Sequence, residues 1–322
     1  MVALVGATAT GKTEVAELLA GESAEVVCAD SRQVFRELEI GTGKPAAAER
    51  ALLPHHLFDA LHLARGAAGP RASAGWYARA LEPVLDTIAS RGRTPILVGG
   101  SGLYLRAAMQ GLAPVPSVAA EVRARLAAEL AASGSAQLHR RLAAADPAGA
   151  AKLHPHDAQR ITRALEILES TGRNQAWWHR QPAAETRSRT WIVVELTTDP
   201  ATLRGRIEER TRRMFEAGLV EETRALLEAG LGGALSALRA VRYDEAMAFL
   251  SGRLDRAGAE ERTRLRTAQL AKRQRTWFRH QVDAIRIETG DHAPAHLARA
   301  IRARLDELTG RGGATTFSSR IL

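Results

Sequence analysis

The stretch LVGATATGKTEVAELLA, residues 4–20, constrains the fold of this chain more than any other. The short apolar run at residues 2–5 is typical of a buried strand, and residues 13–20 are typical of the helix that follows. Between them, residues 6–13 match the pattern G-x-x-x-x-G-K-[ST]. A strand, a glycine-bounded loop and a helix in this order predict the start of a parallel α/β sheet that cradles phosphate.

Phosphate binding at this loop follows from the residue types in it. The glycines let backbone N–H groups converge on phosphate oxygens, and the N-terminus of the following helix adds positive potential. Lys12 supplies an ammonium for those oxygens, and the Thr13 hydroxyl is the expected ligand of Mg²⁺. The predicted phosphate site consists of Gly6, Ala7, Thr8, Ala9, Thr10, Gly11, Lys12 and Thr13.

Further apolar runs predict the other strands of the sheet. They are AEVVCAD at 24–30, PILV at 95–98 and TWIVVELT at 190–197, with helical patterns between them. The expected fold class is α/β, a P-loop parallel-sheet core with flanking helices. Because ligands gather at the carboxyl ends of parallel strands, Asp30 and the Gly99–Ser101 segment should share a crevice with the phosphate loop.

The chain between the last two of these strands is too long for a simple crossover. Its helical patterns predict an inserted all-helical subdomain at 114–189. The catalytic core then comprises 1–113 plus 190–308. The tail TGRGGATTFSSRIL, residues 309–322, is expected to be disordered.

Enzymes that transfer phosphoryl groups normally carry an aspartate at a strand end to organise Mg²⁺. The strand at 95–98 ends in glycine instead, and Glu195 and Asp199 are poorly placed for this task. Asp30 is the best-placed acid in the expected crevice. The pattern therefore favours a loop that holds a diphosphate as a leaving group rather than one that transfers phosphate.

The formal net charge is +9, and residues 262–281, RTRLRTAQLAKRQRTWFRHQ, hold seven Lys or Arg and no acid. Clustered positive charge favours a polyanion such as nucleic acid as partner, although the high arginine content also fits compositional bias. No apolar run approaches the roughly 20 residues that span a membrane. The single cysteine, Cys28, excludes an internal disulfide, and we expect a cytoplasmic protein.

A set of ordered motifs resembles the tRNA dimethylallyltransferase (tRNA isopentenyltransferase) family. The motifs are GATATGKT, CADSRQVF, LEIGTGKP, PHHLFD, PILVGGSGLYLRA, LHPHDAQRITRALEI, RIEERTRRMFEAGLVEE and QLAKRQRTWFR. The resemblance runs from about residue 2 to 281. It implies transfer of a dimethylallyl group from dimethylallyl diphosphate to N6 of the adenosine immediately 3′ of the anticodon, at tRNA position 37, with release of diphosphate.

The resemblance also implies roles for individual residues. Asp30 matches the family's general base, which takes the proton of the adenine amine, although an aspartate there also fits a helix or turn cap. Arg210 matches the diphosphate-binding arginine. Ser101 matches a position that contacts substrate, and it also fits a helix N-cap. The implied catalytic set is Asp30, Lys12, Thr13, Arg210 and Ser101.

The implied partners are dimethylallyl diphosphate and the anticodon stem-loop of tRNA, with Mg²⁺ as cofactor, no membrane and a monomeric protein. The helical subdomain should contact the anticodon arm, although exposed polar helix faces show the same pattern. The implied tRNA-binding residues are Asp30, Ser31, Arg32, Gln33, Ser101, Gln159, Arg160, Ile161, Thr162, Arg163, Arg239 and Tyr243.

The chain departs from the family pattern at three places. Arg242 stands where the family usually has glycine before Tyr243, His156 stands where asparagine is usual, and an aspartate often found near position 119 is missing. None of these positions belongs to the implied catalytic set. The adjacent His55 and His56 do not have the spacing of a metal site and are expected to be structural.

Three other functions remain open on the sequence. An adenylate isopentenyltransferase would share the loop and the donor, but the insertion and the basic segment argue against it. A small-molecule kinase would need the missing strand-end aspartate. A non-enzymatic RNA-binding protein would leave the phosphate loop without a purpose.

Overall fold

A computed structural model describes residues 1–63, 72–182 and 189–310. Within this part of the chain, six parallel strands form one sheet in the order β3-β2-β4-β1-β5-β6. The strands are β1 (Val2–Gly6), β2 (Ala24–Cys28), β3 (His55–His56), β4 (Thr94–Gly99), β5 (Ile192–Thr197) and β6 (Ile285–Glu288). The predicted α/β parallel-sheet core is confirmed.

The four strands expected from apolar runs are all present, with ends within about two residues of the prediction. The sequence missed β3 and β6, the two edge strands. β3 has only two residues, and β6 has only four, alternating between partly buried and exposed. Runs this short carry too little apolar pattern to be recognised.

The chain divides into two compact units, one formed by Met1–Met109 with Ser188–Leu322 and the other by Gln110–Arg187. The described helices of the first unit are α1 (Lys12–Ala20), α2 (Ala47–Leu52), α3 (Ala74–Ser90), α4 (Gly102–Gln110), α9 (Pro200–Glu216), α10 (Leu219–Glu228), α11 (Gly232–Leu238), α12 (Tyr243–Leu250), α13 (Arg256–Gln281) and α14 (Pro294–Gly310). Those of the second unit are α5 (Ala120–Ala145), α6 (Pro147–Ala150), α7 (Ala158–Thr171) and α8 (Gln175–His179).

The core of the first unit lies on the sheet. Every residue of β1 and β2 is buried, as expected for parallel strands that are covered on both faces. One face packs against the apolar sides of α1 and α14, through side chains such as Val15, Leu19 and Ile301. Because β1, β2 and β4 are neighbours and run in one direction, the loops after them open at the same edge of the sheet.

The second unit is all-helical in its described part. Helix α5 is interrupted at Gly134, whose φ of 75° and ψ of 169° break the helical path. Leu126 and Leu138, on either side of this break, pack with Ile161 and Leu165 of α7 in one apolar cluster. Most of the tail predicted to be disordered, residues 311–322, lies outside the described residues.

In the part of the chain that the structure describes, no helix is both long enough and apolar enough to cross a membrane.

Candidate functional site

The phosphate loop connects β1 to α1 and is held in an open curve by its own hydrogen bonds. Gly6 has a φ of +145°, and a Cβ there would lie 2.5 Å from the carbonyl oxygen of Leu196, so no larger residue fits. The Thr10 hydroxyl donates to the Ala7 carbonyl at 2.9 Å. The Thr8 amide donates to Oε1 of Gln274 at 2.8 Å. This side chain on α13 also donates to the carbonyl of Gly100 at 3.0 Å, and so ties the loop to the end of β4.

Lys12 folds back over this loop, because its Nζ donates to the carbonyl of Ala7 at 2.6 Å. Burial and the nearby Arg210 lower the pKa of Lys12 to about 7, while Asp30 acts in the opposite direction. The ammonium therefore lacks a counter-ion strong enough to offset its burial. An anionic ligand held by the loop would supply that charge.

Asp30 lies just beyond the end of β2 and is partly buried. Its Oδ1 accepts a hydrogen bond from the Arg32 amide at 2.8 Å, which is a local turn contact. Its charge also acts on Lys12 and Arg210. The turn role and the catalytic role that the sequence left open are thus compatible, since one carboxylate oxygen holds the turn while the charge of the carboxylate acts on Lys12 and Arg210.

Ser101 joins the end of β4 to the segment after β2. Its amide donates to the carbonyl of Ala29 at 3.2 Å. Its hydroxyl accepts from the Ser31 amide at 2.9 Å and lies 3.3 Å from the Ser31 hydroxyl. A Cβ on the preceding Gly99 would lie 2.1 Å from the Ala29 oxygen, which explains why two strand ends can approach so closely. Ser101 therefore sits beside Asp30, as the sequence predicts.

Arg210 is the arginine of its helix that reaches the phosphate loop. Its Nη1 donates to the Thr8 hydroxyl at 3.2 Å, and its Nη2 reaches the carbonyl of Thr42 at 3.5 Å. Burial lowers the pKa of Arg210, and Asp30 partly offsets this effect. The neighbouring arginines of α9 are engaged elsewhere: Arg212 and Arg213 pair with Glu209 at the surface, and Arg206 binds Thr289 and Gly290. Among these arginines, Arg210 is thus the one that contacts the phosphate loop.

A turn at residues 39–43 lies beside Arg210 and is held by side chains from other elements. The carboxylate of Glu222 accepts from the amides of Glu39 and Ile40 and from the hydroxyl of Tyr243. Gln33 Nε2 donates to the carbonyls of Thr42 and Gly43 at 3.3 and 3.1 Å. Arg32 extends the other way and donates to the carbonyl of Leu238 at 2.8 Å. Sequence reasoning missed Glu222, because nothing in its helix distinguishes it from a solvated acid.

Burial narrows the set of implied RNA contacts. Tyr243 and Ile161 are fully buried, one against the 39–43 turn and the other in the core of the second unit. Because these two side chains are not exposed, they have no surface available for contact with RNA. Their role in this conformation is to pack their segments against the rest of the protein. Arg239, Gln159 and Arg160 are exposed, and Thr162 and Arg163 are partly buried.

The acids after β5 have structural partners. Glu195 pairs with Arg286 at 3.0 Å, and Asp199 caps α9 by accepting from the amides of Ala201 and Thr202. Both acids therefore have partners within the protein. No group of three or more His, Cys, Asp or Glu suited to a metal occurs among the described residues. His55 and His56 bond to Glu17 and Glu25, which fits the structural role expected of them.

The Thr13 hydroxyl is the oxygen that the loop would offer to Mg²⁺. It is partly buried at the N-terminus of α1 and makes no hydrogen bond to any described residue. Mg²⁺ commonly keeps several waters and binds through few protein oxygens together with substrate phosphates. The residues present therefore fit an ion that arrives with a diphosphate, rather than one held by the protein alone.

The sequence model of the family described as IPP transferase matches residues 33–281, which is more than half of the chain. A tRNA dimethylallyltransferase from Halorhodospira halophila is 44% identical over 298 residues, 91% of this chain and 94% of that protein. The crystal structure of the full-length tRNA isopentenylpyrophosphate transferase from Bacillus halodurans is 31% identical, with a TM-score of 0.66 and coverage of 96% and 97%. A eukaryotic dimethylallyltransferase acting on tRNA, 24% identical, has a TM-score of 0.78 over 98% of this chain and 81% of its own and shares the fold. With a family match of this extent and a relative of this identity, the chain belongs to the IPP transferase family.

Proposed function

We propose that this protein transfers a dimethylallyl group from dimethylallyl diphosphate to N6 of the adenosine immediately 3′ of the anticodon, position 37 of tRNA, and releases diphosphate. The observation that carries the proposal is that Asp30, just beyond the end of β2, lies near enough to Lys12 and Arg210 for its charge to act on both. The site combines a carboxylate with cations around a phosphate loop, while the acids after β5 are engaged in ion pairing and capping. The names of the relatives support the same reaction class.

The cations of the site stabilise the leaving group. As the bond between the allylic carbon and the bridging oxygen breaks, negative charge grows on the diphosphate. Lys12 would leave the Ala7 carbonyl and turn to those oxygens, and Arg210 would reach them from beside Thr8. The loop amides and the N-terminus of α1 add their dipoles to the same charge.

Thr13 would ligate the Mg²⁺ that accompanies the diphosphate. The ion would neutralise part of the charge that develops on the diphosphate oxygens.

Asp30 handles the other half of the reaction. The exocyclic amine of adenine is a weak nucleophile, since its lone pair is delocalised into the ring. Asp30 accepts a proton from this amine as the nitrogen–carbon bond forms, so the product leaves as a neutral secondary amine. Ser31 and Ser101 hold the segment around Asp30 in place through their hydrogen bonds to each other.

The tRNA is the partner that best explains the basic surface. In the first unit, Arg239 and the basic residues Lys272, Arg273 and Arg279 of α13 are exposed. In the second unit, taken by itself, Gln159 and Arg160 are exposed at the start of α7. Such residues suit contacts with RNA phosphates. A loop base such as adenosine 37 leaves its stack more easily than a paired base. We further propose that the protein acts as a monomer in the cytoplasm.

Mass analysis of digested nucleosides tests the proposal. The purified protein is incubated with Mg²⁺, dimethylallyl diphosphate and unmodified tRNA. Parallel tubes lack one component, contain AMP in place of tRNA, or contain ATP in place of dimethylallyl diphosphate. We expect adenosine in the tRNA to gain one C5H8 unit only in the complete mixture. A gain on AMP with none on tRNA would indicate an adenylate isopentenyltransferase instead. Consumption of ATP without prenylation would indicate a kinase.

A further inference from the structure

Arg242 has a backbone conformation that side chains rarely adopt. Its φ of 86° and ψ of −50° lie near the γ-turn region, which is strained for any residue with a Cβ. Glycine would reach this conformation without steric cost. The chain therefore has a large charged residue at a position whose backbone conformation disfavours any side chain. This raises the question of what the Arg242 side chain contributes.

The guanidinium of Arg242 is buried without an ionic partner. The residue is only 7% exposed. Its Nη1 donates to the carbonyl of Gly41 at 3.0 Å, and its backbone amide is capped by Glu245 at 2.6 Å. Within the described part of the chain, no carboxylate forms an ion pair with it. Glu245 is instead paired with Arg262 and Arg266.

Arg242 also lies beside the diphosphate arginine. It binds the carbonyl of Gly41, and Arg210 reaches the next carbonyl, that of Thr42. Burial and Arg210 lower the pKa of Arg242 to about 9, against the opposing effect of Asp30. The two guanidinium groups bind consecutive carbonyls and therefore repel each other. An anion shared between them would offset both this repulsion and the cost of burying their charges.

We propose that Arg242 is an additional diphosphate-binding residue, whose guanidinium joins Arg210 and Lys12 around the diphosphate of the donor and of the released product. This assignment rests on the proposed function for the identity of the anion. The ligand class follows from the position of the group: Arg242 and Arg210 reach consecutive carbonyls, and Arg210 also donates to Thr8 of the phosphate loop. A diphosphate is large and charged enough to engage several cations at once.

Calorimetric titration with inorganic diphosphate in the presence of Mg²⁺ tests this assignment on the full-length protein. The variant Arg242→Gly removes the cation and relieves the backbone, so it should melt at or above the temperature of the wild type and bind diphosphate at least about tenfold more weakly. The matched control Arg253→Gly removes an exposed arginine whose Nε donates to the Ser251 hydroxyl at 2.9 Å. It should bind diphosphate with wild-type affinity.

A second variant keeps the test valid if Arg242→Gly does not fold. Arg242→Gln keeps the backbone of the wild type and a donor for Gly41, but loses the charge, and should also weaken diphosphate binding about tenfold. The affinity of each variant for tRNA, measured without donor, should stay within about twofold of the wild type, because the guanidinium is buried and the ligand assigned to it is the diphosphate. Wild-type diphosphate affinity in a folded Arg242→Gly or Arg242→Gln overturns the assignment, as does a loss confined to tRNA binding.

The outcomes that refute the proposed function differ from those that refute the assignment of Arg242. A wild-type protein that binds diphosphate through Arg242 but adds no C5H8 unit to tRNA leaves this inference standing and refutes the proposed reaction. A wild-type protein that prenylates tRNA while Arg242→Gly and Arg242→Gln bind diphosphate normally refutes only this inference. Absence of diphosphate binding by the wild type refutes both.

Discussion

Replacing Gly43 by alanine is expected to disable donor binding while the protein stays folded. Gly43 has a φ of +61°, and a Cβ built on it would lie 1.8 Å from Nη2 of Arg210 and 3.0 Å from Cε of Met214. Arg210 would have to move away from the 39–43 turn. Its contacts with Thr42 and Thr8 would then be lost, together with its position beside the phosphate loop.

The size of the effect follows from two separate contributions. Alanine in the left-handed region costs about 1–2 kcal/mol of folding free energy. A hydrogen bond between charged groups contributes about 1.5–3 kcal/mol, so loss of Arg210 from the diphosphate corresponds to about a 10- to 150-fold drop in kcat/KM for the donor. The stability loss is ordinary, whereas the kinetic loss is specific to the site.

Gly92→Ala is the matched control. Gly92 has a similar φ of +69°, but a Cβ there meets no atom within 4 Å. This variant should lose about the same 1–2 kcal/mol of stability and keep kcat/KM within about twofold of the wild type. The assay is initial-rate prenylation of tRNA at varied donor concentration, beside thermal melting of each variant. If Gly43→Ala and Gly92→Ala have the same kcat/KM, the displacement of Arg210 is not what matters and the reasoning fails.

Three further variants test other parts of the site. Asp30→Ala should lower kcat about 10²- to 10⁴-fold, because the general base is lost. The Kd for tRNA, measured by fluorescence anisotropy, should not change. Lost tRNA binding with intact turnover would contradict the assigned role. Burial and Arg210 lower the pKa of Lys12 to about 7, so above that pH the free protein holds a neutral amine, whereas bound diphosphate favours the ammonium. Diphosphate binding above pH 7 should therefore take up a proton that Lys12→Arg does not take up, as calorimetry in buffers of different ionisation enthalpy measures; equal proton uptake by both proteins would oppose this. Gln274→Met breaks the link between Thr8 and Gly100 and should lower the free energy of unfolding by about 1–3 kcal/mol in urea titration; unchanged stability would show that the loop does not depend on the link.

The sequence predicts well those parts of the site that follow directly after neighbouring strands of the sheet. The phosphate loop, Asp30 and Ser101 each follow an apolar run, and parallel strands necessarily bring their carboxyl ends to one edge. The proximity of these residues could therefore be predicted from the apolar runs, because each residue follows the carboxyl end of a parallel strand. The family resemblance then singled out Arg210 among several arginines, which local pattern alone does not do.

The rest of the site depends on contacts between residues far apart in the chain. Gln274 reaches Thr8 across 266 positions, and Arg242 reaches Gly41 across 201. No local period or spacing encodes such contacts. The burial of Ile161 and Tyr243 was hidden for a related reason, since successive residues of a helix point to different sides and a polar segment can include buried members. Arg242 was visible as a departure from the family pattern, but its burial and strained backbone appear only in the fold.

The fate of the diphosphate distinguishes most directly between a loop that holds a leaving group and one that transfers phosphate. The measurement is the amount of inorganic diphosphate released, by enzymatic assay or ³¹P NMR, against the amount of prenylated adenosine in the same reaction. We expect equimolar release of intact diphosphate that depends on tRNA. At limiting donor concentration its rate should fall about 10- to 150-fold in Gly43→Ala and stay within about twofold of the wild type in Gly92→Ala. Release of monophosphate, appearance of a phosphorylated product, or diphosphate release without modified tRNA would contradict the proposed chemistry.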